Sequence, residues 1–178
     1  IFWIGNTFAI IRNTQAGAIS AFVVVALVTI IYFLDKSKFS EIKAWVILNR
    51  KIIVFSELLF VFSILLMTLL RGVNPWILGT EKPMELTFIN GILRSETFPP
   101  NDPWLSEYSI SYYYFGYLII SAIIKIIRTD AGIAFNLALI FWFALISFGS
   151  FGILLNLLVE KSNRKKESSS KLKLNNIL

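Results

Sequence analysis

AGAISAFVVVALVTIIYFL, residues 16–34, runs for nineteen positions without a charge or a proline. A helix rises ~1.5 Å per residue, so a run of this length crosses most of the ~30 Å hydrocarbon core of a bilayer. In hydrocarbon every backbone N–H and C=O must be satisfied inside the protein, which a helix achieves within one segment. A second run, Ile52–Leu70, repeats the pattern with one acid, Glu57, inside it. Two more follow, Ile110–Ile127 and Gly132–Leu158, while Ile1–Ile11 reads as the end of another span. The fold class expected is all-α, a polytopic transmembrane helical bundle.

The composition agrees. Of 178 residues 56% are hydrophobic and 16% are charged, against ~25% charged in soluble domains, and the mean hydropathy is +0.71. The chain contains neither Cys nor His. That excludes disulfides, zinc sites, thiol nucleophiles and His-based acid/base chemistry within it. Any catalysis falls to carboxylates, Tyr, Lys, Arg or a borrowed group. A cation, if one is used, would be a hard one such as Mg or Mn, held by oxygens. The net charge of +6 gathers at the ends of apolar runs and not on one folded face. Membrane anchoring explains that pattern; nucleic acid does not. The chain opens on IFWIGNTFAII, without the basic start and small-residue cleavage site of a signal peptide. It reads as an internal fragment of a longer polytopic protein.

Three regions follow: transmembrane segments with a basic loop over 1–51, a membrane domain over 52–158, and a basic polar tail over 159–178. Lys36, Lys38, Lys43, Arg50 and Lys51 outnumber Asp35 and Glu41 in the polar loop 35–51. The excess of Lys and Arg places that loop on the cytoplasmic side. In the 71–109 loop five acids face three basic residues, so it is expected outside. A third span ending at Lys125 and Arg128 returns the chain to the cytoplasm. One more crossing would then strand the tail's Lys161, Arg164, Lys165, Lys166, Lys171 and Lys173 outside, against the same rule. Gly149 and Gly152 offer points where the last run would break or re-enter. Glu57 and Lys125, both set inside apolar runs, are expected to pair, because an unpaired ion in hydrocarbon is costly.

The external loop is where chemistry would reside. Over 80–94 Pro83 suits the first turn of a helix and Thr80 its cap. At 100° per residue, Met84, Leu86, Phe88, Ile89, Ile92 and Leu93 form one apolar arc, with Thr87, Asn90, Gly91 and Arg94 opposite. This is the amphipathic interfacial helix expected of the loop. Glu85 falls at the centre of the apolar arc, with Glu81 nearby, whereas an ordinary interfacial helix keeps its acids on the wet side. Asp102 sits in the stiff frame Pro99-Pro100-Asn101-Asp102-Pro103-Trp104, fixed by its prolines. Glu81, Glu85 and Asp102 are therefore the candidate bases or cation ligands. Each has a plainer reading: Glu81 as a helix-dipole partner, Glu85 as a side chain reaching water, Asp102 as an Asx turn. Arg71 and Arg94 suit bidentate phosphate recognition, with Asn90 on the Arg94 face. Tyr112, Tyr113, Tyr114 and Trp104 are candidates for sugar or phosphate contact, and equally, with Trp76, for an aromatic belt.

The run Glu81-Lys82-Pro83-Met84-Glu85, the segments Asn90–Ser95 and Phe98–Trp104, and the triplet Tyr112–Tyr114 together resemble the prokaryotic "YYY" membrane protein family, a domain of unknown function. The resemblance covers roughly 52–158. Glu85 stands where that family usually has Asp. More distantly, the layout is similar to the GT-C glycosyltransferases: a span, an external loop opening on an acid, a membrane-lying helix, a proline-rich stretch and a second span. Lys82 stands where the second acid of their opening pair would fall. The resemblance implies a polyprenyl-phosphate sugar as donor, Glu81 or Asp102 as general base, and Arg71 or Arg94 on the departing lipid phosphate. It implies a prokaryotic plasma membrane as the location, and a divalent cation, Mg or Mn, stays open as a cofactor. The rivals are a transporter or channel subunit, which would need polar residues along several spans, and a non-catalytic scaffold of envelope assembly.

Overall fold

A computed structural model describes residues 1–105 and 107–175, without the side chains of residues 163 and 165–175. Seven helices form, α1 (Phe2–Thr7), α2 (Gln15–Phe33), α3 (Lys36–Leu48), α4 (Arg50–Val73), α5 (Lys82–Arg94), α6 (Phe115–Ile127) and α7 (Ala131–Asn175). Among the described residues there is no strand, only an isolated antiparallel bridge between Asn101 and Ser109.

Three helices are long and apolar enough to cross a membrane: α2, α4 and the Ala131–Ser162 part of α7. Their apolar side chains point mostly outward, with Val28 61%, Leu69 70% and Ile153 66% exposed. So much outward-facing hydrocarbon is what lipid covers. The third expected span is corrected. The helix in Ile110–Ile127 is α6, with 13 residues, or ~20 Å, short of a ~30 Å hydrocarbon core. The first eleven residues hold the helix α1, which stops at Thr7. The 35–51 segment, expected as a loop, is mostly the helix α3. Asp35 caps it by accepting from the Ser37 N–H at 3.0 Å.

α4 and α7 pack antiparallel. Phe55 meets Phe151, Phe60 meets Phe148 and Phe141, and Arg71 meets Asn136. A rising number on α4 therefore faces a falling one on α7. Gln15 joins the start of α2 to the end of α6, donating to Ile126 O at 3.3 Å and accepting from Arg128 Nε at 2.8 Å. The starts of α2 and α7 and the ends of α4 and α6 thus share one end of the bundle. At the other end α3 joins α2 to α4, and α7 runs on past the start of α4. α7 is continuous through Gly149 and Gly152, so the last run neither breaks nor re-enters.

The packed core lies at the first of these ends, around α5. Phe88 and Ile92 bury one flank of α5 against Phe98, Ile110 and Leu118, while Ile89 packs with Ile124, Ala134 and Phe135. The expected amphipathic helix is present, two residues shorter at its start. Thr80 does not cap it: Gly79 and Thr80 both have positive φ and Glu81 holds the N-cap position.

Candidate functional site

α5 and α6 run parallel in a constant register, each contact offset by the same interval along the chain. Tyr117 Oη donates to Glu85 Oε1 at 3.4 Å, Ser121 Oγ to Ile89 O at 3.4 Å, and Lys125 Nζ to Leu93 O at 3.0 Å. The repeat follows from helix geometry, since residues four apart share a face. It places a polar ladder inside an otherwise apolar seam, and Ser121, fully buried, sits in its middle.

Glu85 is half-buried on the covered side of α5, as the wheel expects. Its carboxylate lies against the Tyr117 hydroxyl at a distance longer than a strong O–H···O bond. Glu81 and Tyr112 are close enough to act electrostatically on the same hydroxyl. Glu81 itself is exposed and makes no side-chain cap bond. Glu85 and Tyr117 therefore meet near the start of α5, with Tyr112 stacked on Phe88 one turn on. Tyr117 is the member that sequence reasoning missed.

Asp102 is differently employed. Its Oδ1 accepts from the Trp104 N–H at 2.8 Å and the Leu105 N–H at 3.0 Å, which is the Asx-turn role. The proline frame leans on α5 through Gly91. A Cβ there would lie 3.3 Å from Asn101 O. Trp104, half exposed, meets Phe88 edge-on at 5.1 Å.

The tyrosine triplet lies just before α6 and not on it, with Tyr114 as its N-cap. Each ring goes its own way. Tyr112 stacks on Phe88 at 5.4 Å, Tyr113 is 86% exposed, and the Tyr114 hydroxyl accepts from Trp3 Nε1 at 3.0 Å. A surface hollow of about 290 Å³ opens between this triplet and Trp3.

The two candidate arginines part company. Arg71 is buried at the end of α4. Its Nε donates to Asn136 Oδ1 at 2.9 Å, and its Nη2 to that same oxygen and to Pro75 O at 3.2 Å. These bonds tie the end of α4 to the start of α7. Arg94 is exposed and, among the described residues, spends only its Nε, on Asn90 O at 3.2 Å. Asn90 donates to Leu86 O at 3.0 Å and does not brace Arg94 with its side chain.

The expected Glu57–Lys125 pair does not form. Glu57 is exposed on α4, while Lys125 turns to the last carbonyls of α5, where a cation is favoured by the helix dipole. Among the described residues no three carboxylates gather to hold a metal ion. A groove of about 330 Å³ runs between α6 and α7, with apolar walls that include Ile120, Ile123, Leu137 and Phe141.

A family model described as "Uncharacterized membrane protein (DUF2298)" matches residues 1–173. No curated protein and no solved structure matches the chain.

Proposed function

For this chain, which belongs to the DUF2298 family of uncharacterized membrane proteins, we propose a role as the loop-bearing part of a membrane glycosyltransferase-like enzyme, similar in layout to the "YYY" and GT-C proteins, whose donor is a polyprenyl-phosphate-linked sugar. The observation that carries this reading is the half-buried carboxylate of Glu85, held against the Tyr117 hydroxyl beside Glu81 and Tyr112. An acid kept on the covered face of an amphipathic helix has a use that a solvated acid lacks. It can accept a proton from an acceptor hydroxyl without competing water. Glu81, one turn earlier and open to solvent, is placed to receive that proton onward.

The apolar groove between α6 and α7 supports the lipid half of the reading. Isoprenoid chains are apolar along their whole length, as the walls of this groove are, and the groove is reached from the same helix that carries Tyr117. Neither arginine stands beside the Glu85 carboxylate: Arg94 lies nine residues, ~14 Å, along α5 from it and on the opposite face, and Arg71 spends Nε and Nη2 on Asn136 and Pro75. A divalent cation would enter with the donor's phosphate, since Glu81 and Glu85 supply two carboxylates and not a full ligand set.

The test is turnover by the intact protein with a polyprenyl-phosphate sugar, with and without a chelator. Glu85→Gln is expected to lower kcat by 10²-fold or more, the usual scale of a lost general base. Glu81→Gln should cost less, and Asp102→Asn should act through folding alone. Wild-type turnover in both glutamate variants would sink the proposal, and solute flux through liposomes without transfer would replace it with the transporter reading.

A further inference from the structure

A second polar region lies at the same end of the bundle, around the opposite end of α5. Here a cavity of about 540 Å³ opens between the segment leading into α2 and the segment leaving α5. Its walls carry Arg12, Asn13 and Thr14 on one side and Arg94, Ser95 and Glu96 on the other. The volume falls within the ~300–1,000 Å³ range of small-molecule sites.

The two walls are fastened to each other. Asn13 is 6% exposed. Its Nδ2 donates to Ile92 O at 2.6 Å and to Ser95 O, and its own N–H to Glu96 O at 3.4 Å. Ser95 Oγ accepts from the Asn101 N–H at 2.9 Å while donating to Gly91 O at 2.9 Å. Asn13 thus satisfies the Ile92 carbonyl, which the end of α5 would otherwise leave open, and with Ser95 it fixes the shape of the cavity. The arginines are not used in this way. Arg12 and Arg94 are both exposed. Neither is in an ion pair among the described residues, although Glu96 lines the same cavity.

Two guanidinium groups at the rim of a braced cavity are a phosphate's partners, because the planar fork matches phosphate oxygens. The start of α2 adds the positive end of its helix dipole. Glu96 sets the other half of the specificity. A carboxylate beside the arginines penalises a bare dianion and rewards a ligand that brings hydroxyl donors with its phosphate. We propose that this cavity binds the head of a hydroxylated phosphate ester, a sugar phosphate, with the phosphate on Arg12 and Arg94 and a sugar hydroxyl on Glu96. The assignment rests on the glycosyl-donor reading for its substrate class, but the site is a separate one: Arg94 lies nine residues, ~14 Å, along α5 from Glu85, so a headgroup held by Arg12, Arg94 and Glu96 is not the one reacting at that carboxylate.

Equilibrium binding to the intact protein tests it with three probes: farnesyl phosphoryl glucose, farnesyl phosphate and glucose 1-phosphate. Arg12→Ala and Arg94→Ala are each expected to weaken all three by about tenfold, the scale of one charge-assisted hydrogen bond, with partial recovery in the lysine variants. Glu96→Gln should weaken only the two glucose-bearing probes. Preference for the farnesyl compounds identifies a lipid-linked ligand, and preference for glucose 1-phosphate a soluble one; both support the site. Unchanged binding in both alanine variants overturns it. The two readings fail separately. Arginine-dependent binding without glycosyl transfer leaves this cavity standing and removes the enzyme, while Glu85-dependent transfer with arginine-independent binding does the reverse.

Discussion

Lys125 Nζ lies 3.0 Å from Leu93 O, while the acid expected to neutralise it stands exposed on another helix. An ammonium inside an apolar seam needs acceptors more than it needs a counter-charge, and the end of a neighbouring helix supplies unsatisfied carbonyls. Removing that amine leaves the carbonyl end of α5 with one partner fewer. Lys125→Met is therefore expected to lower unfolding stability by about 1–3 kcal/mol, the cost of a lost bond to a charged group, whereas Glu57→Leu should change it by less than about 0.5 kcal/mol. Denaturant titration of the detergent-solubilised protein checks both, and equal losses would restore the pairing of the two. The same locality explains which site residues were legible. The inward placement of Glu85 follows from its own helix's period. Tyr117 does not, because its meeting with Glu85 depends on the register between two helices, set by the folded connection from Ser95 to Tyr114. The fate of Arg71 was hidden for a like reason: its partners are backbone carbonyls and Asn136, and no pattern along α4 announces them.

At the scale of elements, the approach of backbone to backbone decides more than side-chain pattern. A Cβ on Gly17, in the first turn of α2, would sit 2.0 Å from Arg12 O. That oxygen belongs to the tight turn feeding the helix, and also accepts from the Thr14 N–H at 2.8 Å, so it has little freedom to retreat. Gly17→Ala should cost about 1–3 kcal/mol, as overpacking does, and should loosen the Arg12–Thr14 wall. Gly91→Ala, facing Asn101 O at 3.3 Å, should cost less than about 1 kcal/mol. Thermal melts of the two variants order these costs, and a larger loss at Gly91 would contradict the packing described. Apolar length made α2 and α4 readable from the sequence, and a period of 3.6 made α5 readable. α3 escaped because its polar and apolar residues have no sided pattern, although Asp35 stood where a cap belongs. α6 was overextended because Ile110 and the tyrosines continue an apolar run without continuing a helix. Hydropathy measures burial, and Ile110 is buried in the core beside α5 without being helical.

Counting spans over the whole molecule gave a contradiction in charge that the arrangement of the helices removes. With four crossings the basic tail falls on the side opposite α3. With α2, α4 and α7 as the crossings, α7 begins where α4 ends and runs back beside it, so the tail emerges at the end where Lys36, Lys38, Lys43, Arg50 and Lys51 lie. Lys161 and Arg164 then join that basic cluster; the side chains of Lys165, Lys166, Lys171 and Lys173 lie outside the described residues. Both basic segments then satisfy the positive-inside rule together, by which the end bearing Arg12 and Arg94 is expected to face outward. Because the chain has no cysteine, single cysteines report the arrangement without background. Ser37→Cys in α3, Ser162→Cys late in α7 and Thr97→Cys after α5 are all exposed positions. A membrane-impermeant maleimide added to intact cells should label Thr97→Cys alone. The other two should react only after the membrane is opened. Labelling of Ser162→Cys together with Thr97→Cys would mean that α6 crosses after all. It would also put the basic tail and the proposed headgroup cavity in the same compartment.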